Sequence, residues 1–263
     1  MIPRSRYRRF SGWTLLAFLT AALVAGCGSG AVATSKHAKL SVPVHPGTTS
    51  TTTTVRSTTT TMSTTMSTIT TTTVPAFSSS VSLVTVAQLG GTWHAGCPVD
   101  PSQLRLLQLS YWGFDNQPHL GMLVVNASVA DSVIAVFSNL YAARFPIEEM
   151  VPEAAYGGND NAAATADDTS GFNCRYAVAP GTPQWSMHAY GEAIDVNDVQ
   201  NPYIDGATII PPAGAAYEAR SDVRPGMAVP GGTLVDAFTA IGWGWGGNWA
   251  GTPDDQHFSI NGQ

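Results

Sequence analysis

The chain has 263 residues, a net charge of −6, 11% charged residues and three cysteines, a length that accommodates one or two ordinary domains. The charge is unevenly spread: seven of the 12 Lys+Arg precede residue 81, and all 18 Asp+Glu follow it. Residues 81–263 thus set five arginines against 18 carboxylates, a net −13, which excludes nucleic acid as a partner because phosphate binding needs clustered cations.

Arg4, Arg6, Arg8 and Arg9 form a positive leader, and Trp13 to Ala25 is an apolar run of 13 residues. That run is too short to span a bilayer core and suits the apolar core of a signal peptide. It closes on Val24-Ala25-Gly26-Cys27, which resembles a bacterial lipobox, with a small residue before the cysteine that takes lipid after cleavage. The expectation is a lipoprotein signal peptide over 1–26 and lipidation at Cys27. The protein is then expected in the cell envelope, lipid-anchored on the outer face of the cytoplasmic membrane. From Thr48 to Val74, 17 of 27 residues are Thr and four are Ser. Such a segment has too little apolar surface to offset its ordering entropy, so residues 27–80 read as a disordered linker, open to O-glycosylation. With Cys27 lipidated, Cys97 and Cys174 remain, and two cysteines in an exported domain point to a disulfide.

The folded domain is expected over 81–263. Leu120 to Asn126 reads as a buried strand. Ser128, with Asp131 three residues on, reads as a helix cap, and Val129, Val133, Val136, Phe137, Leu140 and Tyr141 recur at helical spacing up to Phe145. Ile147 to Val151 is a candidate strand ended by Pro152. Tyr156 to Thr169 reads as loop with a turn of helix, Ala193 to Asn197 as a strand, and Gly206 to Pro230 as Pro/Gly-rich loop. Leu234, Val235, Phe238 and Ile241 mark a second amphipathic helix ended by Gly242, and His257 to Ile260 a closing strand. Helices and strands mix without strict alternation, which predicts an α+β domain with a small, mostly antiparallel sheet.

Two histidines lie in informative contexts: Ser186-Met187-His188-Ala189-Tyr190-Gly191-Glu192-Ala193-Ile194-Asp195, and Asp254-Asp255-Gln256-His257. Two imidazoles and a carboxylate suit zinc with one coordination position open to water. His188 and Asp195 are about 10 Å apart on a helix and about 23 Å apart fully extended. To share an ion the segment must fold back, and Gly191 permits the turn. Asp195 then lies on a strand face with Ala193 and Asn197. A catalytic zinc also needs a base; Asp254, three residues before His257, can serve, with Asp255 as its local competitor. Trp243, Trp245 and Trp249, in a glycine-rich stretch just before this loop, are candidate walls of a substrate cleft. His94 and His119 read as structural.

The pattern S-x-H-x-x-G-x-A-x-D followed by D-x-x-H resembles the zinc D-alanyl-D-alanine carboxypeptidases and the related L-alanyl-D-glutamate endopeptidases, over roughly residues 104–260. The resemblance implies His188, Asp195 and His257 as Zn²⁺ ligands, Asp254 as general base and Ser186 as a substrate-binding residue. Ser170-Gly171-Phe172-Asn173-Cys174-Arg175 is similar to a family segment whose arginine holds substrate or stabilises the oxyanion. It makes Arg175 the candidate, with an inserted Asn-Cys as a departure. An aspartate base is nearer the endopeptidase-like members. The fold implied is the small α+β fold shared with Hedgehog signalling domains, and the substrate implied is the peptidoglycan stem peptide. A non-catalytic cell-wall peptide-binding lipoprotein is the alternative, and a Hedgehog-type signalling ligand a third reading. Oligomeric state is left open.

Overall fold

The computed structural model describes residues 74–178 and 182–263. The signal peptide over 1–26, Cys27 and the linker up to residue 73 lie outside the described residues. The expected boundary at 80/81 falls inside a strand: β1 is Ser79–Leu83. Phe77 already packs on Tyr141, whose hydroxyl donates to the Pro75 carbonyl at 2.8 Å.

After a short helix α1 (Val86–Leu89), β2 (Leu104–Trp112) and β3 (Pro118–Asn126) form the long hairpin of an antiparallel sheet in the order β1-β2-β3. Strand alternation sends side chains to two faces. Leu107, Leu109, Leu123 and Val125 enter the main core, while Leu104 and Val124 enter a smaller cluster with Val84, Leu89, Val99, Phe172 and Cys174. Cover on both faces explains why β3 reads as a continuous apolar run. Helix α2 (Ala130–Ala142) buries Val133, Val136, Phe137 and Leu140 against the main-core face, and Tyr141 against Phe77 and Trp112.

Three local expectations are corrected. Ser128 does not cap α2: Asn126 Oδ1 accepts from the Ser128 amide (3.1 Å) and hydroxyl (2.9 Å), and no side chain caps the helix. An Asx turn has taken the hydroxyl that a cap would have used. Ile147 to Val151 is not a strand; Ile147 and Met150 only make single backbone bonds to Trp112 and Met122. The stretch read as loop from Gly206 contains a strand, because β5 (Tyr203–Asp205) turns back as β6 (Thr208–Ile210).

A short helix α3 (Asp160–Thr165) precedes β4 (Ala193–Asp195), and helix α4 (Thr233–Thr239) precedes β7 (Gly244–Trp245) and β8 (His257–Ser259). These strands form a second antiparallel sheet, β4-β8-β7. Ile194 and Phe258 are paired across it and point into the main core with Leu234 and Phe238 of α4. The architecture is α+β as expected, with three antiparallel sheets among the described residues in place of one. Cys97 and Cys174 are joined by a disulfide spanning 77 residues. It staples the segment after β1 to the strand-like stretch before the site.

Candidate metal centre

The β4–β8 register sets Asp195 directly opposite His257. Directly opposed residues project to the same face with Cβ atoms about 5 Å apart. Because Ile194 and Phe258 take the core face, Asp195 and His257 must take the other. His188 arrives from a 3₁₀ turn, Met187–Tyr190. Gly191 ends that turn with φ of 69°, and a Cβ there would lie 2.6 Å from the Asn126 amide nitrogen, so glycine is needed both for the left-handed conformation and for the close approach. This is the fold-back that a shared ligand set requires. Ser186 begins the turn, its hydroxyl oxygen accepting from the His188 amide at 3.3 Å.

The three side chains converge. His188 Nε2 lies 3.1 Å from His257 Nδ1 and 3.1 Å from Asp195 Oδ2, and His257 Nδ1 lies 3.0 Å from Asp195 Oδ1. All three residues are buried. The outer imidazole atoms decide the tautomers. His188 Nδ1 donates to the Gly171 carbonyl at 2.6 Å, and His257 Nε2 donates to the Gln263 carbonyl at 3.0 Å. A carbonyl only accepts, so both protons are placed on the outer nitrogens. In the neutral rings, His188 Nε2 and His257 Nδ1 then present lone pairs to each other and to a carboxylate. Three electron-pair donors facing one another without a proton between them suit a cation. Outer-nitrogen bonds of this kind orient ligating imidazoles. For bonds of about 2.0 Å at tetrahedral angles, ligand atoms sit about 3.3 Å apart, close to the spacing here, so the residues fit zinc. The other triad with convergent donor atoms among the described residues, His94 with Cys97 and Cys174, has its two sulfurs committed to the disulfide.

Burial opposes ionisation of Asp195, while positive charge and hydrogen-bond donation from His188 and His257 hold its carboxyl well below the usual carboxylate range; that is the pull of protonated imidazoles, which a bound cation would replace when both rings are neutral. Asp254 behaves oppositely: burial, then the charge of Asp195, pushes it up to about 7. Its Oδ1 is enclosed and has no hydrogen-bond partner. Asp255 points elsewhere, buried in an ion pair with Arg220 at 3.2 Å.

A groove with a cavity volume of about 790 Å³ runs past the triad, with Arg175, Ser186, Trp249, Asp254 and His257 in its walls. Arg175 is pinned by Asp160, Nε to Oδ1 at 2.7 Å. Burial lowers the pKa of its guanidinium, but the Asp160, Asp195 and Glu153 carboxylates outweigh that and raise it. Ser170-Gly171-Phe172-Asn173-Cys174 leads into Arg175 along β4: Ser170 and Asp195 exchange both backbone bonds at 3.0 Å. Trp245 does not wall the groove. The β7–β8 register pairs it with Phe258, it packs in the main core, and its indole N–H donates to the Asp255 carbonyl at 2.8 Å. Trp243 is buried too. Trp249 is the one of the three that reaches the groove, its ring 5.3 Å from that of His257.

Sequence reasoning missed a group of acids behind the triad. Glu153 is buried, accepts from the Ser170 hydroxyl at 3.1 Å and from the Asn173 amide, and is pushed up to about 8 by burial and by Asp160. Asp198 is buried as well, and burial with the charge of Asp195 raises it well above the usual range. A clue existed in the density of acids between residues 153 and 198 of a chain poor in cations, but no spacing ties them to the histidine motif.

Residues 180–260 match the sequence family described as D-alanyl-D-alanine carboxypeptidase. The match contains His188, Asp195, Asp254 and His257, while Arg175 lies just before it. No curated protein and no solved structure matches the chain significantly. The matched residues are thus similar to a family of peptidases.

Proposed function

We propose that residues 74–263 form a zinc-dependent peptidase of Hedgehog/DD-peptidase-like fold that hydrolyses amide bonds in peptidoglycan stem peptides. We place it outside the cytoplasmic membrane on a linker anchored through lipidated Cys27. The observation that carries the reading is the convergence of two imidazole nitrogens and one carboxylate, all buried and about 3 Å apart, at the wall of a groove of about 790 Å³.

His188, Asp195 and His257 would hold the ion, and Zn²⁺ when bound supplies a Lewis acid and lowers the pKa of water toward 7. Asp254 takes the proton of the attacking water and returns it to the departing amine; its Oδ1 is free of other partners and it lines the groove beside His257. Arg175, held by Asp160, presents a fixed cation to the groove for the carbonyl oxygen or a substrate carboxylate. Gly171 and Gln263 keep the imidazole protons away from the ligand face.

The test is mass spectrometry of purified muropeptides after incubation with the zinc-loaded protein, with and without chelator. The expected result is a shortened stem peptide only in the chelator-free arm. Unchanged muropeptides with stoichiometric zinc would reject catalysis in favour of a wall-peptide binder. The new terminus reports which bond is cut.

A further inference from the structure

Behind the triad lies a small cavity of about 40 Å³, lined by Glu153, Asp160, Asn161, Ser170, Asp195, Asp198 and Gln256 on its polar sides. By volume it admits roughly three water-sized groups. It is a branch of the groove: Asp160, Asn161, Ile210 and Gln256 line both. Ile210, Ala163 and Ala164 make its apolar wall. Its polar groups are not equally committed. Asp160 holds Arg175 at 2.7 Å, Glu153 accepts from Ser170 and Asn173, and Asp195 belongs to the ligand set. The enclosed acceptors left without a hydrogen-bond partner are Asp198 Oδ1 and Gln256 Oε1. Asp198 is 4% exposed and Gln256 9%.

A buried acceptor left unmatched costs free energy unless a donor arrives. A cavity walled by carboxylates, with open acceptors and an apolar side, suits a donor that is cationic, compact and carried on methylenes. We infer that this branch is a specificity pocket for a primary ammonium on an alkyl side chain of the peptide, accepted by Asp198 and Gln256. The inference rests on the peptidase reading for the peptide and on the cavity for the ammonium. A metal ion fits less well. Among the described residues, triads of acid, histidine or cysteine donors within 4.8 Å of one another occur only at the two places described above, so the acids of this cavity are not arranged to chelate. Burial and the neighbouring Asp195 push the Asp198 carboxyl well up, a penalty that a bound cation offsets.

The test uses the zinc-loaded Asp254→Asn protein, expected to cleave at least about 10²-fold more slowly than the parent, and two stem pentapeptides that differ only in lysine against Nε-acetyl-lysine. Calorimetry is expected to show the free ammonium binding about tenfold tighter or more, the scale of a charge-assisted hydrogen bond. Adding Asp198→Asn should remove most of that preference. Asp198 Oδ1 has no partner to lose, and a melting curve checks the fold; Gln256→Leu, which keeps the charge, is the second variant and should reduce the preference in part. Equal affinities for the two peptides, or a preference that survives Asp198→Asn, overturn the inference. Equal affinities together with Ca²⁺ binding that Asp198→Asn abolishes assign the cavity to a metal and overturn it too. Muropeptide cleavage without discrimination sinks the ammonium pocket alone; an ammonium preference without cleavage sinks the peptidase reading alone; failure to bind either peptide sinks both.

Discussion

Asp254→Asn separates the general base from the scaffold. The carboxyl Oδ1 has no hydrogen-bond partner, and the backbone around it is held independently: the Asp254 amide donates to Gly246 at 3.1 Å and its carbonyl accepts from the His257 amide at 3.2 Å. An isosteric amide therefore removes a proton acceptor and leaves the loop in place. The ligand set is untouched, since Asp254 is not among the convergent donors. General-base contributions run from about 10² to 10⁴ in rate, about 2.7 to 5.4 kcal/mol at 1.36 kcal/mol per tenfold. The assay is single-turnover cleavage of a muropeptide at saturating enzyme, with zinc content by atomic absorption and thermal melting on the same sample. The expected variant carries one zinc, melts like the parent and cleaves at least about 10²-fold more slowly. Turnover within a fewfold of the parent refutes the role and passes it to another group; loss of zinc shows that the carboxylate serves the metal.

Two further perturbations read the scaffold. Replacing Cys97 and Cys174 by serine opens a 77-residue loop, so the chain-entropy account predicts a loss of about 4–5 kcal/mol of unfolding free energy, measured by urea denaturation; a loss below about 1 kcal/mol contradicts it. Asp168 is fully buried, its Oδ2 is unpartnered, and burial pushes it up to about 8. A raised folded-state pKa means that the native state binds the extra proton, so this group's stabilising contribution is full below about pH 4 and is lost as pH rises through about 8. In Asp168→Asn the fall in stability between pH 5 and 9 should be shallower by an amount of the order of a few kcal/mol; an unchanged slope by denaturation at each pH refutes it.

Much of the candidate site was legible because its logic is local. The turn from His188 to Asp195 needs a glycine in the left-handed region and a strand behind it, and both are written within eight residues. The apolar spacing of α2 and α4 was legible for the same reason, since a helix repeats its pattern over its own length. The first strands are less legible: Leu104 to Trp112 interrupts its apolar residues with Arg105, Gln108 and Ser110, and a short apolar run does not say whether it is strand or helix. Ser128 failed as a cap because a competing turn with Asn126 uses the same hydroxyl.

Pairing across long separations was decided only in three dimensions. The register of β8 against β4 sets His257 opposite Asp195 across 62 residues, and its register against β7 sends Trp245 inward and leaves Trp249 at the groove. A shift of one residue would exchange those faces, and no spacing in the chain fixes it. The carbonyls of Gly171 and Gln263 that set the imidazole tautomers are backbone atoms, and a main-chain carbonyl carries no residue signature. The acids behind the triad become a pocket only because packing excludes water from them. The residue types that carry the chemistry are thus a property of the sequence. Their protonation, partners and facing directions are a property of the fold, because each depends on which distant group is brought within about 3 Å.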